Sequence, residues 1–432
     1  MKIVFFGLLT IMTVFGCISP NSTFEKIPPG IWRGALLLDR APVSKYGDDR
    51  DIVKKFDYDS ELPFNFEVVY DDESNFHIII HNDTERIKVA DITFGRDKAT
   101  AKDTVIINFP IYDSYIKAIY EDGVMEGDWV VNYRENYSIP FKAVHGVADR
   151  FTMVDNEDTL NVAGKWNCTF DIGAESEYKA VGIFKQDGKK IAGTFLTETG
   201  DFRYLEGIVY KKKMYLSVFD GSHAYMFLGK VMEDGTLTGT FRSGSQYTTN
   251  WEGTRDESAS LPNAYDLTKK VNDEALSFSF PNVSGQQINL NDEKYKGKTK
   301  LIQVMGSWCP NCMDETVFLQ EYFKKNPMDD VAIILLGFER YKDETKSIAS
   351  LKRFKERMGI NHEVLYAGYY DKEAASEKLP QLDKIISYPT LLFVDKNNKI
   401  IKIHTGFSGP ATPGYIDFEK EFTNTLNSVR SK

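Results

Sequence analysis

The stretch LIQVMGSWCPNCMDET, residues 301–316, places two cysteines, Cys309 and Cys312, between an apolar run and a helix-forming pattern. The apolar run predicts a buried strand, and residues 310–325 predict a helix. Two cysteines at this spacing could be a redox pair, half of a zinc site, a structural disulfide or an accident. Both the fold of this stretch and the chemistry of its cysteines therefore depend on the junction between the strand and the helix.

The chemistry of Cys309 follows from its predicted position at the start of a helix. Unpaired backbone N–H groups and the helix dipole stabilise negative charge there, so they lower the pKa of the thiol. The thiolate attacks disulfides, and Cys312, one helical turn further on, can resolve the mixed disulfide that results. Pro310 suits the first helical turn because it has no N–H to leave unpaired. The pattern favours a thiol-disulfide redox pair.

The other interpretations of the cysteine pair explain fewer residues. A zinc site needs four ligands, but no second Cys or His pair stands at ligand spacing, and His362 and His404 are isolated. We therefore expect no metal and no other cofactor. A structural disulfide across so short a loop would contribute little stability. It would also leave Trp308 and the Tyr-Pro-Thr segment 388–390 unexplained.

The C-terminal part of the chain, residues 276–432, has the pattern of an alternating α/β domain. After the strand and helix around the cysteines, the pattern predicts a strand at 331–338, a helix at 347–358, a short strand at 362–368, a hairpin at 388–407 and a closing helix at about 415–429. Strands and helices in this order predict one sheet covered on both faces.

Four features give residues 276–432 a resemblance to the thioredoxin superfamily, and within it to the membrane-anchored, extracytoplasmic oxidoreductases of the TlpA and ResA kind. The features are the Trp-Cys-x-x-Cys motif at 308–312, the Tyr-Pro-Thr sequence of a cis-proline loop at 388–390, Glu315, and the lead-in sequence at 276–309. The resemblance implies a C-terminal α/β thioredoxin-like domain.

The same resemblance implies roles for the residues of the motif and the loop. Cys309 would be the nucleophile, Cys312 the resolving thiol, and the two would form the redox disulfide. Pro389, between Tyr388 and Thr390, would shape the groove that binds a substrate peptide, and would keep a metal ion from being held there. The implied partners are protein disulfide substrates and a membrane electron donor of the thiol-disulfide type.

Three further residues complete the expected site. Trp308 would pack beside the disulfide. Glu315 lies one turn from Cys312, close enough to move protons or to raise a thiol pKa. Alternatively, Glu315 is an exposed acid in the first helical turn, stabilised by the helix dipole. Gln303 stands where thioredoxin has a buried Asp, six residues before the first cysteine, so Glu315 or water must serve as the base.

Residues 27–255 predict an all-β antiparallel region. Short alternating runs are separated by turn signals, including Asp-Gly steps at 122–123, 187–188 and 234–235 that predict hairpins. A repeat divides the region into β lobe 1, residues 27–150, and β lobe 2, residues 158–255. The segments that correspond are GIWRGAL at 30–36 with GKWNCTF at 164–170, and the Asp-Gly hairpins at 115–130 and 225–241.

The repeat predicts two copies of one antiparallel meander, each opening with Gly-x-Trp and closing with its Asp-Gly hairpin. The Gly-x-Trp opening resembles small lipocalin-like barrels, in which the Trp plugs one end. Cys168 alternates with Trp166 and Phe170 on one strand face, so we expect it to be a buried apolar residue. The polar segment 256–275 predicts a linker to the C-terminal domain.

The N-terminus predicts export. Residues 1–16 combine one Lys with an apolar stretch of signal-peptide length, and Gly16-Cys17 resembles a bacterial lipobox. We expect Cys17 to carry lipid and residues 17–26 to form a tether, which would place the chain on the periplasm-facing side of a bacterial cell envelope. A plain signal peptide followed by an incidental cysteine is the alternative. Either one places the mature chain where disulfides form.

Together these patterns predict an exported, lipid-anchored thiol-disulfide oxidoreductase that reduces protein disulfides. The net charge of −10 and the absence of a basic stripe in the sequence argue against nucleic-acid binding. The competing prediction is a binding lipoprotein, in which the aromatic residues of the β lobes capture a ligand and the redox domain is accessory. Those aromatics alternate within strands, which is typical of a core.

Overall fold

The structure is a computed structural model that describes residues 26–39, 59–151 and 160–431. The predicted signal peptide, Cys17 and nearly all of the tether lie outside the described residues. Lobe 1 is one antiparallel sheet, whose strands among the described residues are β1 (Gly30–Leu37), β2 (Glu61–Tyr70), β3 (Phe76–Asn82), β4 (Glu85–Val89), β5 (Ile92–Arg96), β6 (Asp103–Phe109), β7 (Ser114–Glu121), β8 (Val124–Val131) and β9 (Ser138–His145). In this sheet β1 pairs with both β2 and β9, and the order of strands leaves β4 and β5 at the two edges.

Lobe 2 repeats this meander but closes it. Its strands among the described residues are β10 (Gly164–Phe170), β11 (Tyr178–Asp187), β12 (Lys190–Thr197), β13 (Gly200–Asp201), β14 (Leu205–Tyr210), β15 (Lys213–Phe219), β16 (Ala224–Val231), β17 (Leu237–Ser243) and β18 (Tyr247–Arg255). The first strand, β10, pairs with β18, and β11 pairs with β12. The sheet therefore closes on itself, and within residues 160–255 it leaves no unpaired edge apart from the two-residue β13.

The predicted repeat is confirmed in its opening and corrected at its end. In each lobe the Gly-x-Trp indole donates to the carbonyl four residues earlier: Trp32 Nε1 to Pro28 at 3.2 Å, and Trp166 Nε1 to Val162 at 2.9 Å. Each Asp-Gly hairpin, β7–β8 or β16–β17, is followed by one more strand, so the hairpin is not the end of the meander. That extra strand pairs back with the first strand of its lobe.

The elements of the C-terminal domain among the described residues are a short hairpin of β19 (Ser279–Pro281) and β20 (Gln287–Asn289), then β21 (Thr299–Met305), α1 (Pro310–Lys325), β22 (Val331–Glu339), α2 (Glu344–Arg357), β23 (Glu363–Tyr369), α3 (Lys372–Lys378), β24 (Thr390–Val394), β25 (Ile400–Thr405) and α4 (Gly414–Arg430), with a 3-10 turn at Glu293–Tyr295. Five strands form one sheet in the order β23-β22-β21-β24-β25. The first three are parallel to one another, and β24 is antiparallel to both of its neighbours, β21 and β25. This is the thioredoxin-like arrangement that the sequence predicted.

The sequence explains where these elements lie. Strand β21 is buried along its whole length because it is the central strand, with helices on both faces. Helix α2 begins at Asp343, whose carboxylate accepts the N–H of Lys346, an N-cap typical of acids at this position. Helix α4 turns Phe418, Phe422 and Leu426 inward at helical spacing. The seven-residue α3 was not predicted, because its sequence KEAASEK has no apolar stripe.

The predicted linker, residues 256–275, packs against the C-terminal domain. Thr268 is buried, and its hydroxyl forms a hydrogen bond of 2.9 Å with the hydroxyl of Thr405. The backbone N–H of Thr405 donates to the Ala264 carbonyl, and Lys270 forms a β-bridge with Leu382. The segment is thus fixed along the sheet edge formed by β25. Among the described residues, no helix is long and apolar enough to cross a membrane.

Candidate active site

The Cys-x-x-Cys motif lies where the central strand β21 gives way to α1. Cys309 is the N-cap of α1, and Pro310 occupies the first helical position. The two cysteines form a disulfide with 5.2 Å between their Cα atoms, and the N–H of Cys312 donates to Sγ of Cys309 at 3.2 Å. Both cysteines are buried, Cys309 with 6% of its surface exposed. Negative charge on the Cys309 sulfur would therefore meet a backbone N–H at the positive end of the helix.

The loop before β24 borders the sulfur of Cys309. The peptide bond between Tyr388 and Pro389 is cis, and Sγ of Cys309 lies 3.4 Å from the Tyr388 carbonyl oxygen. Thr390 pairs with Val304 in the neighbouring strand β21, which brings the loop next to the cysteines. The sheet thus joins two segments that are about 80 residues apart in the chain.

Trp308 is fixed by polar and aromatic contacts. Its indole N–H donates to the Phe338 carbonyl at 3.0 Å, and its ring packs edge-on against Tyr370 and Tyr388, with 5.6 Å between centroids in each pair. The guanidinium of Arg340 lies 4.1 Å above the indole ring. A cation over the face of a tryptophan is a favourable arrangement, so Trp308 is held from several directions.

A buried polar network holds the first turn of α1. The Gln303 amide donates to the Cys312 carbonyl at 3.0 Å, and the Gln303 oxygen accepts from the Thr316 hydroxyl at 2.9 Å. Thr316 also bonds the Cys312 carbonyl at 2.8 Å. Gln303 is neutral and fully buried, so at this position it orients Cys312 without acting as a base.

Glu315 is fully buried, so the alternative of an exposed first-turn acid is wrong. Neither carboxyl oxygen has a hydrogen-bond partner among the described residues. Gln303 lies beside it, but the Gln303 amide is directed to Cys312 and does not complete a hydrogen bond to the carboxyl. Burial raises the pKa of Glu315 to about 8. The group is therefore a neutral acid near neutral pH, one helical turn from the resolving cysteine.

A second buried acid, Glu339, was missed by the sequence analysis. It accepts the N–H and the hydroxyl of Ser307, both at 2.8 Å, and so clamps the loop immediately before the motif. Burial raises the pKa of Glu339 to about 7, although the hydrogen bonds from Ser307 oppose the rise. One feature of the sequence could have indicated this role: Glu339 ends the apolar run VAIILLGFE, and the strand that this run forms ends beside the end of β21.

A buried cation from lobe 2 also reaches the motif, and nothing in the sequence predicted it. The Arg203 guanidinium forms ion pairs with Asp314 of α1 and Glu85 of lobe 1, and lies 3.7 Å from Asp220. Burial alone would lower the pKa of Arg203, but Asp314, Glu85 and Asp220 raise it well above its ordinary value. One arginine thus joins both lobes to Asp314 in the N-terminal part of α1.

The remaining sulfur and metal predictions concern residues away from the motif. Cys168 is a free thiol inside lobe 2, and burial raises its pKa to about 12, so it is an apolar residue in practice. Within residues 26–39, 59–151 and 160–431, no cluster of three or more His, Cys, Asp or Glu side chains has the arrangement of a metal site.

Comparison with known proteins agrees with this geometry. A family model described as Redoxin matches residues 270–415. The thiol-disulfide oxidoreductases ResA of Bacillus thuringiensis subsp. konkukian and Geobacillus thermodenitrificans are 27% and 24% identical to this chain over 136 residues. The first match covers 31% of this chain and 68% of the relative, and the second covers 32% and 70%.

Solved structures also match part of the chain. The exposed lipoprotein thioredoxin of Streptococcus pneumoniae is 25% identical and covers 35% of this chain and 98% of its own, with a TM-score of 0.26. A thiol-disulfide oxidoreductase of Bacteroides fragilis is 18% identical and covers 35% of this chain and 99% of its own, with a TM-score of 0.25.

The C-terminal domain with its Cys309–Cys312 pair is a domain of the thioredoxin superfamily. By this domain, its dithiol motif and its similarity to ResA proteins, the chain is a thiol-disulfide oxidoreductase.

Proposed function

We propose that this chain reduces protein disulfides outside the cytoplasm through the Cys309–Cys312 dithiol. The observation that carries the proposal is the position of Cys309. Its sulfur accepts the N–H of Cys312 at the start of α1, and lies 3.4 Å from the carbonyl before Pro389. A thiolate stabilised at a helix N-terminus, with a second thiol one turn away, is suited to two-electron exchange with a disulfide.

The proposed reaction proceeds in two exchanges. In the reduced enzyme the Cys309 thiolate attacks one sulfur of the substrate disulfide, whose other sulfur leaves as a thiolate and takes a proton. The Cys312 thiol then loses its proton and attacks Cys309, which releases the second substrate sulfur. The substrate gains two electrons and two protons, and the enzyme is left with the Cys309–Cys312 disulfide. A membrane donor of the thiol-disulfide type would return the electrons.

We assign supporting roles to the groups around the pair. Glu315 would exchange protons with Cys312: burial raises its pKa to about 8, close to an ordinary thiol's, so the ionised fraction of the carboxyl is a base strong enough to take the Cys312 proton. Pro310 would fix the first turn, and Trp308 would restrict the approach to Cys309. The loop of Tyr388, Pro389 and Thr390 would border the substrate backbone.

The proposed direction, reduction of the substrate, predicts a low reduction potential for the Cys309–Cys312 pair. We expect equilibration of the Cys309–Cys312 pair against dithiothreitol to give about −270 mV or lower, as for a reductase. The redox state can be followed by trapping free thiols with acid and a maleimide, with a Cys312→Ala variant as the control that has no dithiol. A value near −120 mV, typical of an oxidant such as DsbA, would reverse the proposed direction.

We further propose that the chain is a lipoprotein anchored through Cys17 at the periplasm-facing side of a bacterial cell envelope. The support is the signal-peptide pattern and the Gly-Cys step. When the full chain is expressed in a bacterium, the wild type should partition with membranes and into detergent phase, and Cys17→Ser should become soluble or remain unprocessed. Cys168→Ala is the matched control and should partition like the wild type. Equal partitioning of Cys17→Ser and wild type would contradict the anchor.

The binding-lipoprotein alternative finds less support in the β lobes. The aromatic side chains of lobe 2 pack against one another as core; Phe227 stacks on Phe241 at 4.4 Å and on Phe195 at 4.7 Å between centroids. Trp251 is buried among the same rings. The lipocalin-like character of the closed lobe remains part of our proposal. We assign the lobes a role at the redox site rather than in ligand capture.

A further inference from the structure

Lobe 2 lies directly on the surface around Cys309. Its β12–β14 connection, residues 198–203, which we call the cap turn, contacts the motif and the cis-proline loop. The Ser387 hydroxyl donates to the Thr199 carbonyl at 2.9 Å, and the Asn311 amide donates to the Asp201 carbonyl at 3.3 Å. Side chains on two sides of Cys309 therefore hold main-chain carbonyls of the cap turn, as a groove holds a peptide backbone.

The approach is so close that it requires glycine on both sides. A Cβ on Gly200 would lie 2.2 Å from Nδ2 of Asn311 and 3.1 Å from the Phe407 carbonyl oxygen. A Cβ on Gly406, on the C-terminal domain, would lie 2.8 Å from the Glu198 carbonyl oxygen. Glycine at such positions marks a close approach of two backbones.

Other contacts close the same surface from neighbouring directions. The Ser222 hydroxyl of the β15–β16 turn donates to the Trp308 carbonyl at 3.1 Å. The Tyr112 hydroxyl of lobe 1 lies 3.5 Å from the sulfur of Met313. Arg203, within the cap turn, is ion-paired to Asp314. The residues flanking both cysteines are thus engaged by the β lobes, and Cys309 itself has only 6% of its surface exposed.

We propose that the cap turn is an internal occupant of the peptide groove beside Cys309, which a protein substrate must displace before its disulfide is reduced. This inference rests on the proposed function and restricts it. A small disulfide needs only a path to the Cys309 sulfur, whereas a folded protein must lay a chain segment where residues 198–201 lie. The occupied state therefore discriminates against protein substrates in proportion to its population.

The test adds a methyl group to the cap turn and compares two substrates. Gly200→Ala places a Cβ against Asn311 and the Phe407 carbonyl at φ +133, where a side chain strains the backbone, so the cap turn has to shift. Gly235→Ala is the matched control. Gly235 lies in a hairpin of the same lobe, also at positive φ, and its Cβ would meet nothing within 4 Å. The substrates for the pre-reduced chain are insulin and 5,5′-dithiobis(2-nitrobenzoic acid). With Gly200→Ala we expect insulin reduction to rise about tenfold and reduction of the small disulfide to change less than about twofold.

Failure of the cap-turn proposal and failure of the proposed function would give different results. Equal changes with both substrates, or slower insulin reduction by Gly200→Ala, would overturn the proposal, because the turn would then be a fixed wall or part of the binding site. A wild-type chain that reduces neither substrate would instead contradict the proposed function. If Gly200→Ala loses its circular dichroism spectrum, Ser222→Ala removes the hydroxyl contact of lobe 2 with the Trp308 carbonyl and leaves the groove side chains intact, and the same expectations apply to it.

An accessibility measurement gives an independent answer. In a Cys312→Ser background, Cys309 can be alkylated by iodoacetamide or by a maleimide carrying a polyethylene glycol chain. We expect Gly200→Ala to speed the bulky reagent about tenfold relative to the small one, and Gly235→Ala to leave the ratio unchanged. An unchanged ratio in Gly200→Ala would mean that the cap turn does not limit access to Cys309.

Discussion

Replacing Cys309 with Ser is expected to lower disulfide reduction by at least about 1000-fold, because a serine hydroxyl is not ionised near neutral pH and cannot attack a disulfide. Sγ of Cys309 is the sulfur at the helix N-terminus and beside the Tyr388 carbonyl, so no other thiol in the described part of the chain can replace it. The measurement is the rate of reduction of a small disulfide by the pre-reduced chain. Cys168→Ala is the matched control and should retain the wild-type rate.

The complementary variant identifies which cysteine attacks. Cys312→Ser retains the nucleophile but cannot resolve the first exchange, so we expect it to accumulate a mixed disulfide with the substrate through Cys309. Mass spectrometry of the trapped adduct identifies which cysteine is bound to the substrate. A covalent adduct on Cys312 in Cys309→Ser, formed as fast as the adduct on Cys309, would contradict the assignment of the nucleophile.

The C-terminal domain was largely predictable because its signals are local. Helix α1 was predicted from residue 310 to 325 and has those bounds, since Pro310 starts it and apolar spacing continues it to Lys325. The closing helix and the hairpin predicted at 388–407 were confirmed for the same reason. The proximity of Pro389 to Cys309 came from the family resemblance, because it depends on the pairing of β21 with β24.

The surroundings of the site were not predictable, because they depend on contacts between distant segments. Glu339 meets Ser307 only because β21 and β22 are parallel neighbours that end together. Arg203 and Gly200 stand in an ordinary polar turn in the sequence, and nothing there indicates that α1 lies against them. The repeat predicted two similar meanders, but whether each sheet closes depends on a single strand pairing. In lobe 2, β12 pairs with β14, whereas among the described residues of lobe 1 the edge strands β4 and β5 do not pair.

Burial of the Glu315 carboxyl makes the stability of the chain depend on pH, and a single substitution tests this dependence. Its pKa is about 8 in the folded chain, because of burial, against an ordinary value near 4.5. Between those pH values the folded chain holds a proton that the unfolded chain releases, so stability must fall as the pH rises from about 4.5 to about 8. Such a rise in pKa corresponds to at most about 5 kcal/mol, and we expect about half of that after relaxation of the site.

Glu315→Gln removes this titration and keeps the shape of the side chain. At each pH, the comparison is the free energy of unfolding of the variant minus that of the wild type. We expect this difference to be about 2–3 kcal/mol larger at pH 9 than at pH 4.5. Urea titrations of the oxidised chains across that range, followed by the signal of the C-terminal domain, give the comparison. Glu321→Gln, an exposed acid on the same helix, is the control and should follow the wild type within about 0.5 kcal/mol. Parallel curves for Glu315→Gln and wild type would mean that Glu315 keeps an ordinary pKa in the folded chain, and its carboxylate would then be too weak a base to take the proton of the Cys312 thiol.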